Sequence, residues 1–413
     1  MPPALSAVAA AAPAAPDALL PKGAIAGLSV AAFASGMSLR VMDAMLPRLA
    51  GEFSLSLGDA AYAITVFAVA YGLAQLMFGP MGDRFGKYRV IAFGCLACAL
   101  TTVSCAWSPS FGLLLLGRTL AGATAAAIIP LSMAWIGDVV AYERRQPVLA
   151  RFLIGQILGL SGGVLLGGYA ADHLAWRTPF LLIALIFLVT GGSLWWLDRR
   201  LPPQARQLRR VQGSAVARMV AEFGHILALP WARVILCTVF AEGAFLYGAF
   251  AYVVSHIHQM HGLSLSVAGE VVMLYGLGGL LFALGAPLLV RRLGEAGLCK
   301  WGGILVAGAF LIVALADAWW WSAPACFLAG LGFYMLHNTL QINATQMAPE
   351  RRGAAVAAFA SCFFIGQSVG VAVNGHLIVL VGTTGIIVLG ALGVFAVSWN
   401  FVRVLRIKRL GQA

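Results

Sequence analysis

Few ionisable side chains fall inside the long apolar stretches of this chain, and those few are where chemistry is expected. Arg40 and Asp43 stand three residues apart, with Pro47 just beyond. That spacing puts two side chains on one face of a helix. Glu242 lies about eleven residues into its apolar segment, roughly 16 Å deep at 1.5 Å per residue. Arg118 sits within another such segment. An arginine placed there is expensive and rarely faces lipid, although one close to an end can extend its head to water. Hydrocarbon surroundings disfavour the charged form of a carboxyl group, so buried acids suit the uptake and release of protons. Asp43, Glu242, Arg118 and Arg40 are therefore the proton-coupling candidates. A static ion pair is the competing reading for Arg40 and Asp43.

Sparse polar and aromatic groups in apolar walls describe most ligand pockets. Such groups here are Tyr71, Gln75, Gln156, Tyr247, Tyr252, His337, Asn338, Gln341, Asn343, Gln367 and Asn374. They are the substrate-cavity candidates, with interhelical hydrogen bonding as the alternative use. His337 stands out because imidazole titrates near neutral pH. The run His256-Ile-His258-Gln-Met-His261 has no standard metal-ligand spacing and no adjacent carboxylate, so no metal site is expected. Cys95 and Cys98 form a CxxC inside a continuous apolar run and read as buried, reduced thiols. No GxxxxGK[ST] loop is present, which argues against an ATP-driven pump or a membrane kinase. No catalytic site and no cofactor are expected, and the chain does not read as an enzyme.

The elements that must position these groups are membrane helices. Of 413 residues, 61% are hydrophobic and 10% are charged, with mean hydropathy +0.91. Soluble domains carry about 25% charged residues, so no water-facing surface can be built from this mixture. A bilayer core needs roughly 20 apolar residues per helix. Twelve candidate spans follow, at about 24–48, 60–81, 89–107, 111–139, 149–172, 178–198, 231–256, 266–290, 297–317, 320–346, 353–381 and 384–405. The expected organisation is a flexible tail over 1–23, a six-helix bundle over 24–198, a basic linker over 199–230, a second bundle over 231–405 and a tail over 406–413. Alternate connections and both tails hold nearly all Lys and Arg, whereas the opposite side holds only Arg48 and Arg177. The positive-inside rule then puts both termini in the cytoplasm. The same distribution explains the net charge of +12. Anionic lipid, not nucleic acid, is the expected partner of those charges. The halves also repeat. Tyr71-Gly-Leu-Ala-Gln-Leu-Met-Phe78 matches Tyr275-Gly-Leu-Gly-Gly-Leu-Leu-Phe282 at five of eight positions.

A charge cluster stands between spans 2 and 3, in Gly79-Pro-Met-Gly82-Asp83-Arg84-Phe-Gly86-Lys87-Tyr-Arg89. This stretch resembles the loop signature G-x-x-x-D-R-x-G-[RK] of the major facilitator superfamily of secondary transporters. Arg118-Thr-Leu-Ala-Gly122 resembles that family's R-x-x-x-G, where the arginine is linked to proton coupling. Gly163-Val164-Leu-Leu-Gly167-Gly168 resembles its antiporter motif G-P-x-x-G-G, with Val164 in place of the proline. Glu242-Gly-Ala-Phe and His337-Asn-Thr-Leu-Gln further resemble the bacterial drug and sugar efflux branch, which is drug:proton antiporter-like.

The resemblance covers 24–405 and implies an all-α polytopic fold of twelve transmembrane helices in two pseudo-symmetric six-helix halves. It implies a cytoplasmic gate of Gly79, Gly82, Asp83, Arg84, Gly86, Lys87 and Asp138. In that gate Asp83 faces the residues after Gly353, and Arg84 or Lys87 reaches Asp138. It also places Arg40, Asp43 and Arg118 in one bundle, where protonating Asp43 would free an arginine. The expected function is proton-coupled export of a small organic compound by alternating access. Proton-coupled uptake of a metabolite, drawn as an anion by Arg40 and Arg118, stays open. So does a membrane sensor or lipid-handling protein without transport. The expected setting is the bacterial inner membrane, and the expected state a monomer.

Overall fold

Within hydrocarbon every backbone N–H and C=O must find a partner inside the protein, and a helix does this segment by segment. The computed structural model describes residues 20–206 and 215–410, and among them the chain is helical with no strand. Residues 1–19 and 411–413 of the expected tails, and 207–214 of the expected linker, lie outside the described residues.

The described residues form twelve helical passes. Span 1 is Ala24–Arg40 with Leu46–Phe53, span 2 is Tyr62–Phe85 and span 3 is Lys87–Ala106. Span 4 is Phe111–Ala125 with Ile128–Val139, span 5 is Tyr142–His173 and span 6 is Thr178–Asp198. Span 7 runs in pieces from Pro230–Glu242 to Val253–His261. Spans 8 and 9 are two helices within Leu265–Leu315 that meet at the non-helical Gly294 (φ 62°). Span 10 is Ser322–Met347. Spans 11 and 12 share Arg352–Leu410, parted at Gly382 (φ 65°). Positive φ costs glycine nothing, so each pair reverses direction in one residue. The expected basic linker is partly helical, with Pro203–Arg206 and Ala215–Ala228 inside it.

Two breaks correct the sequence expectation of regular helices. Span 1 stops at Arg40, and 41–45 form turns before Leu46–Phe53. Pro47 is the cause. It has no N–H to give the carbonyl four residues back, which is that of Asp43, and its ring crowds that carbonyl. Asp43 therefore sits in a break and not on a helix face. In span 7 a π-helical turn, Gly243–Tyr247, follows Glu242 directly. Turns of this kind gather at functional sites.

Glycine sets how closely the spans approach. A methyl group on Gly155, Gly159, Gly163 or Gly167 of span 5 would run into the backbone carbonyls of Ser29, Phe33, Met37 and Val41 of span 1. The stripe resembling an antiporter motif thus does the work of close packing through small residues.

The halves join along two seams. Span 2 meets span 11: Ser361 Oγ donates to Gly72 O at 2.7 Å, and Gly58 lies against Gly375. Span 5 meets span 8: Ser161 Oγ donates to Met273 O at 3.2 Å, and Gly168 lies against Leu265. Gly72 and Gly276 are equivalent in the internal repeat, and each sits on a seam. The Gly58–Gly375 and Gly168–Leu265 contacts lie at the ends of the spans away from the basic face, and the Ser361–Gly72 contact lies nearer the middle. At the basic ends, Gly79 of span 2 and Gly353 of span 11 have nothing within 4 Å of where a methyl group would stand. The two halves are closed against one another at the face opposite the basic loops.

Candidate functional site

Two buried charge pairs face each other across the halves. In the first half, Arg40 and Asp43 are 3% and 1% exposed, with Nη1 and Oδ2 2.9 Å apart. Their alignment makes no hydrogen bond. Both terminal nitrogens of Arg40 and both oxygens of Asp43 lack hydrogen-bond partners among the described residues. The guanidinium instead lies over two rings of the other half, 4.7 Å from the centroid of Tyr247 and 4.8 Å from that of Phe250. A cleft of about 10 Å³, roughly the room that one water needs, borders Arg40, Ser161, Tyr247 and Tyr275. Buried pairs left this poorly satisfied are costly, and the cost calls for a functional reason.

In the second half, Glu242 is fully buried, and its Oε2 stands 2.9 Å from His337 Nδ1 of span 10. Its Oε1 has no hydrogen-bond partner among the described residues. His337 is 19% exposed, so the pair runs from a sealed carboxyl group to a reachable imidazole. Phe333, Phe359 and Phe363 pack around that imidazole, with ring centroids 4.9, 5.3 and 4.8 Å away. The π-turn after Glu242 delivers Tyr247 to the centre of this chamber. Its hydroxyl is 3.0 Å from that of Tyr275, and its ring stands edge-on to Phe333 and Phe363. Tyr247 thus touches the aromatic wall of one half while carrying Arg40 of the other.

Arg118 lies within electrostatic reach of Asp43 and hydrogen-bonds to backbone carbonyls. It makes no ion pair with Asp43. Its Nη1 donates to Ser38 O at 2.9 Å and its Nε to Ala63 O at 3.2 Å. The guanidinium also covers the Phe67 ring at 4.1 Å. It staples spans 1 and 2 to span 4. The carbonyl of Ser38 is freed for this bond because Met42, four residues on, lies in the break of span 1.

The cavity candidates divide. Tyr71 packs on Phe364 at 4.4 Å across the span 2–11 seam. Gln75 and Gln367 are buried, and Gln367 Nε2 is without a partner among the described residues. Gln156, Asn338 and Gln341 are half-buried. Tyr252 is spoken for by Val371 O at 2.9 Å, and Asn343 Nδ2 by Thr339 O at 3.0 Å, so both act within the helix packing. Asn374 is buried near the closed face. His256 is held by Thr383 Oγ1 at 2.9 Å and Val313 O at 3.0 Å.

At the basic face, Lys87 bonds Asp138 and stands 3.6 Å from Asp83. The expected Lys87–Asp138 link is present. Asp83 pairs with Lys87, and among the described residues it has no ion pair or hydrogen bond to the start of span 11. Gly86 (φ 92°) makes the turn, and Gly82 lies against Leu131. Arg84 stands over Phe85.

Sequence reasoning missed three features. Tyr275 and Phe333 complete the chamber, and the repeat that pairs Tyr71 with Tyr275 was the available signal. The π-turn left none. Asp172 of span 5 accepts from both N and Oγ of Ser266, each at 2.6 Å, and so caps span 8 across the halves at the closed face.

The residues 28–371 match the family model of the Major Facilitator Superfamily. An uncharacterised MFS-type transporter of Bacillus subtilis, YceJ, is 25% identical over 84% of this chain and 86% of its own length. The multidrug export protein EmrB of Escherichia coli is 27% identical over 48% of this chain and 39% of its own length. A POT family transporter solved in complex with 5-aminolevulinic acid superposes with a TM-score of 0.76 at 12% identity, over 94% of this chain and 98% of that one. At that identity the likeness speaks for the fold. With twelve passes, two joined halves and a family match over most of its length, this chain belongs to the Major Facilitator Superfamily of transporters.

Proposed function

We propose that this transporter exports a small organic compound in exchange for protons, by alternating access between the two halves. The observation that carries the reading is the Glu242–His337 pair. His337 is the reachable member of that pair and Glu242 the fully buried one. One oxygen of Glu242 is bonded and the other is left over, so either a proton or a polar group of a substrate satisfies it. Competition for one site between proton and substrate is the simplest chemistry of exchange.

Arg40 and Asp43 supply the link to movement. With Asp43 ionised, the pair is neutral and Arg40 rests on the Tyr247 and Phe250 rings, holding the closed face shut. Protonation of Asp43 leaves Arg40 as an uncompensated cation, which favours a state where water reaches it. Resemblance in part to EmrB supports the outward direction. Uptake of an anion finds less support. Arg40 already has its countercharge in Asp43, and Arg118 gives Nε and Nη1 to two carbonyls, with Nη2 left without a partner among the described residues. The setting proposed is the bacterial inner membrane with both termini cytoplasmic.

The test is transport in proteoliposomes with an imposed pH gradient. Export predicts proton entry when substrate is offered on the basic-face side. A susceptibility panel in cells lacking and overproducing the protein supplies the compounds. Absence of proton flux with every compound to which the cells respond sinks the coupled mechanism.

A further inference from the structure

We propose that a groove on the membrane side of the first half holds one anionic phospholipid of the leaflet at the basic face. The groove encloses about 330 Å³ between spans 2 and 3, with span 4 as its floor. Met81 and Phe85 form one wall and Phe93 and Ala97 the other, Thr124 lies at the bottom, and Arg89 stands at the mouth. It opens away from the seams between the halves. Phe93, Ala97 and Leu100 share one face of span 3, and Phe93 and Leu100 are 52% and 73% exposed. That face meets acyl chains, not a water-filled path.

The mouth supplies charge that fits a phosphate. Arg89 is tied by Nε to the buried Asp198 of span 6 at 3.0 Å, while its side chain is 47% exposed. A guanidinium fixed by its inner nitrogen presents its outer edge in a set direction, and that edge matches a phosphate. Arg84 lies across the Phe85 ring, Cζ to centroid 5.1 Å, so a second guanidinium stands beside a residue of the groove wall. Acids nearby are engaged. Asp83 and Asp138 share Lys87, and Asp198 holds Arg89. Arg199 and Arg200 follow Asp198 and lie over Trp195 and Trp196, at 4.2 and 3.5 Å. Tryptophans so placed mark the headgroup level, which sets Arg89 at the depth of lipid phosphates. One acyl chain then fills the groove below, and the phosphate sits at Arg89 and Arg84. The occupant also touches Phe85 and Arg84 of the turn that carries Asp83 and Lys87, so lipid charge bears on the gate.

The test is native mass spectrometry of the full-length protein, released from detergent after titration with phosphatidylglycerol or phosphatidylcholine. Wild type is expected to retain one phosphatidylglycerol in preference to phosphatidylcholine. Each arginine near a charged bilayer surface strengthens lipid attachment about fivefold. Arg84→Gln and Arg89→Gln are each expected to lower retention by about that factor. Arg89 also ties spans 3 and 6, so Arg84→Gln and Ala97→Phe keep the test independent of folding. Ala97→Phe fills the groove and is expected to abolish retention without altering charge. Equal retention of the two lipids by wild type, or unchanged phosphatidylglycerol retention in both Arg84→Gln and Ala97→Phe, overturns the proposal. Neither result depends on what the protein transports.

Discussion

At the residue scale, a few ionisable groups have been given incomplete surroundings, and their incompleteness is the clue to what they do. Glu242 keeps one oxygen unpartnered beside His337. Glu242→Gln retains the shape and hydrogen-bonding capacity but cannot exchange a proton. It is expected to abolish substrate-driven proton flux in proteoliposomes while substrate binding persists. Full flux in that variant and in Asp43→Asn would exclude both acids as proton carriers. Arg118 is the contrasting case, an intramembrane arginine whose main partners are carbonyls of two neighbouring spans. Hydrogen bonds to charged groups contribute about 2 kcal/mol each, and their loss strands the acceptors. Arg118→Ala is therefore expected to lower the melting temperature of the purified protein. Arg118→Lys recovers little, since one ammonium lacks the fork that spans both carbonyls. An unchanged melting temperature in Arg118→Ala would return this arginine to a purely coupling role.

At the element scale, breaks and glycines decide more than propensity does. The break before Pro47 turns Asp43 off its helix, and the π-turn after Glu242 brings Tyr247 under Arg40. In span 5, the glycine stripe lets span 1 approach at backbone distance. Gly159→Leu is expected to cost about 2 kcal/mol or more by overpacking. Gly192→Leu in span 6 has open space around it and is expected to be nearly neutral. Size-exclusion profiles of fluorescent fusions separate the two, and equal profiles would deny the stripe its packing role. The same physics explains why the resemblance to an antiporter motif carries little about direction. Close packing accounts for every glycine in it.

At the scale of the whole molecule, the halves are shut at the face opposite the basic loops. Ties across them include Asp172 with Ser266, and Tyr62 Oη 3.5 Å from His376 Nε2. Cysteines replacing Tyr62 and His376, in a background lacking the native seven, are expected to cross-link readily at rest and less when substrate and a pH gradient drive cycling. Cross-linking that ignores both would mean that this seam does not open. Asp172→Ala removes the cap on span 8. It is expected to increase labelling of Ser161→Cys by an impermeant maleimide added from the closed face. Labelling at the wild-type level would assign that closure to the glycine seams alone.

The sequence by itself determined the class, the twelve passes, the repeat and the chemistry in play. Hydrocarbon permits only long apolar helices, and charge can enter them only where it is used, so composition and a handful of exceptions were enough to find Arg40, Asp43, Arg118, Glu242 and His337. The Lys87–Asp138 link was legible as well, because the loop that carries Lys87 has a specific pattern. The tertiary structure alone decided which exceptions meet. Asp43 and Arg118 stand within electrostatic reach of one another, and what the sequence left open is that Arg118 hydrogen-bonds the Ser38 carbonyl beside the break in span 1. Glu242 and His337 lie ninety-five residues apart and Arg40 is over two hundred from Tyr247, and no local pattern records which spans of two packed bundles face one another. Partner choice depends on helix rotation and on how closely glycine lets two backbones come, and both are properties of the assembled halves.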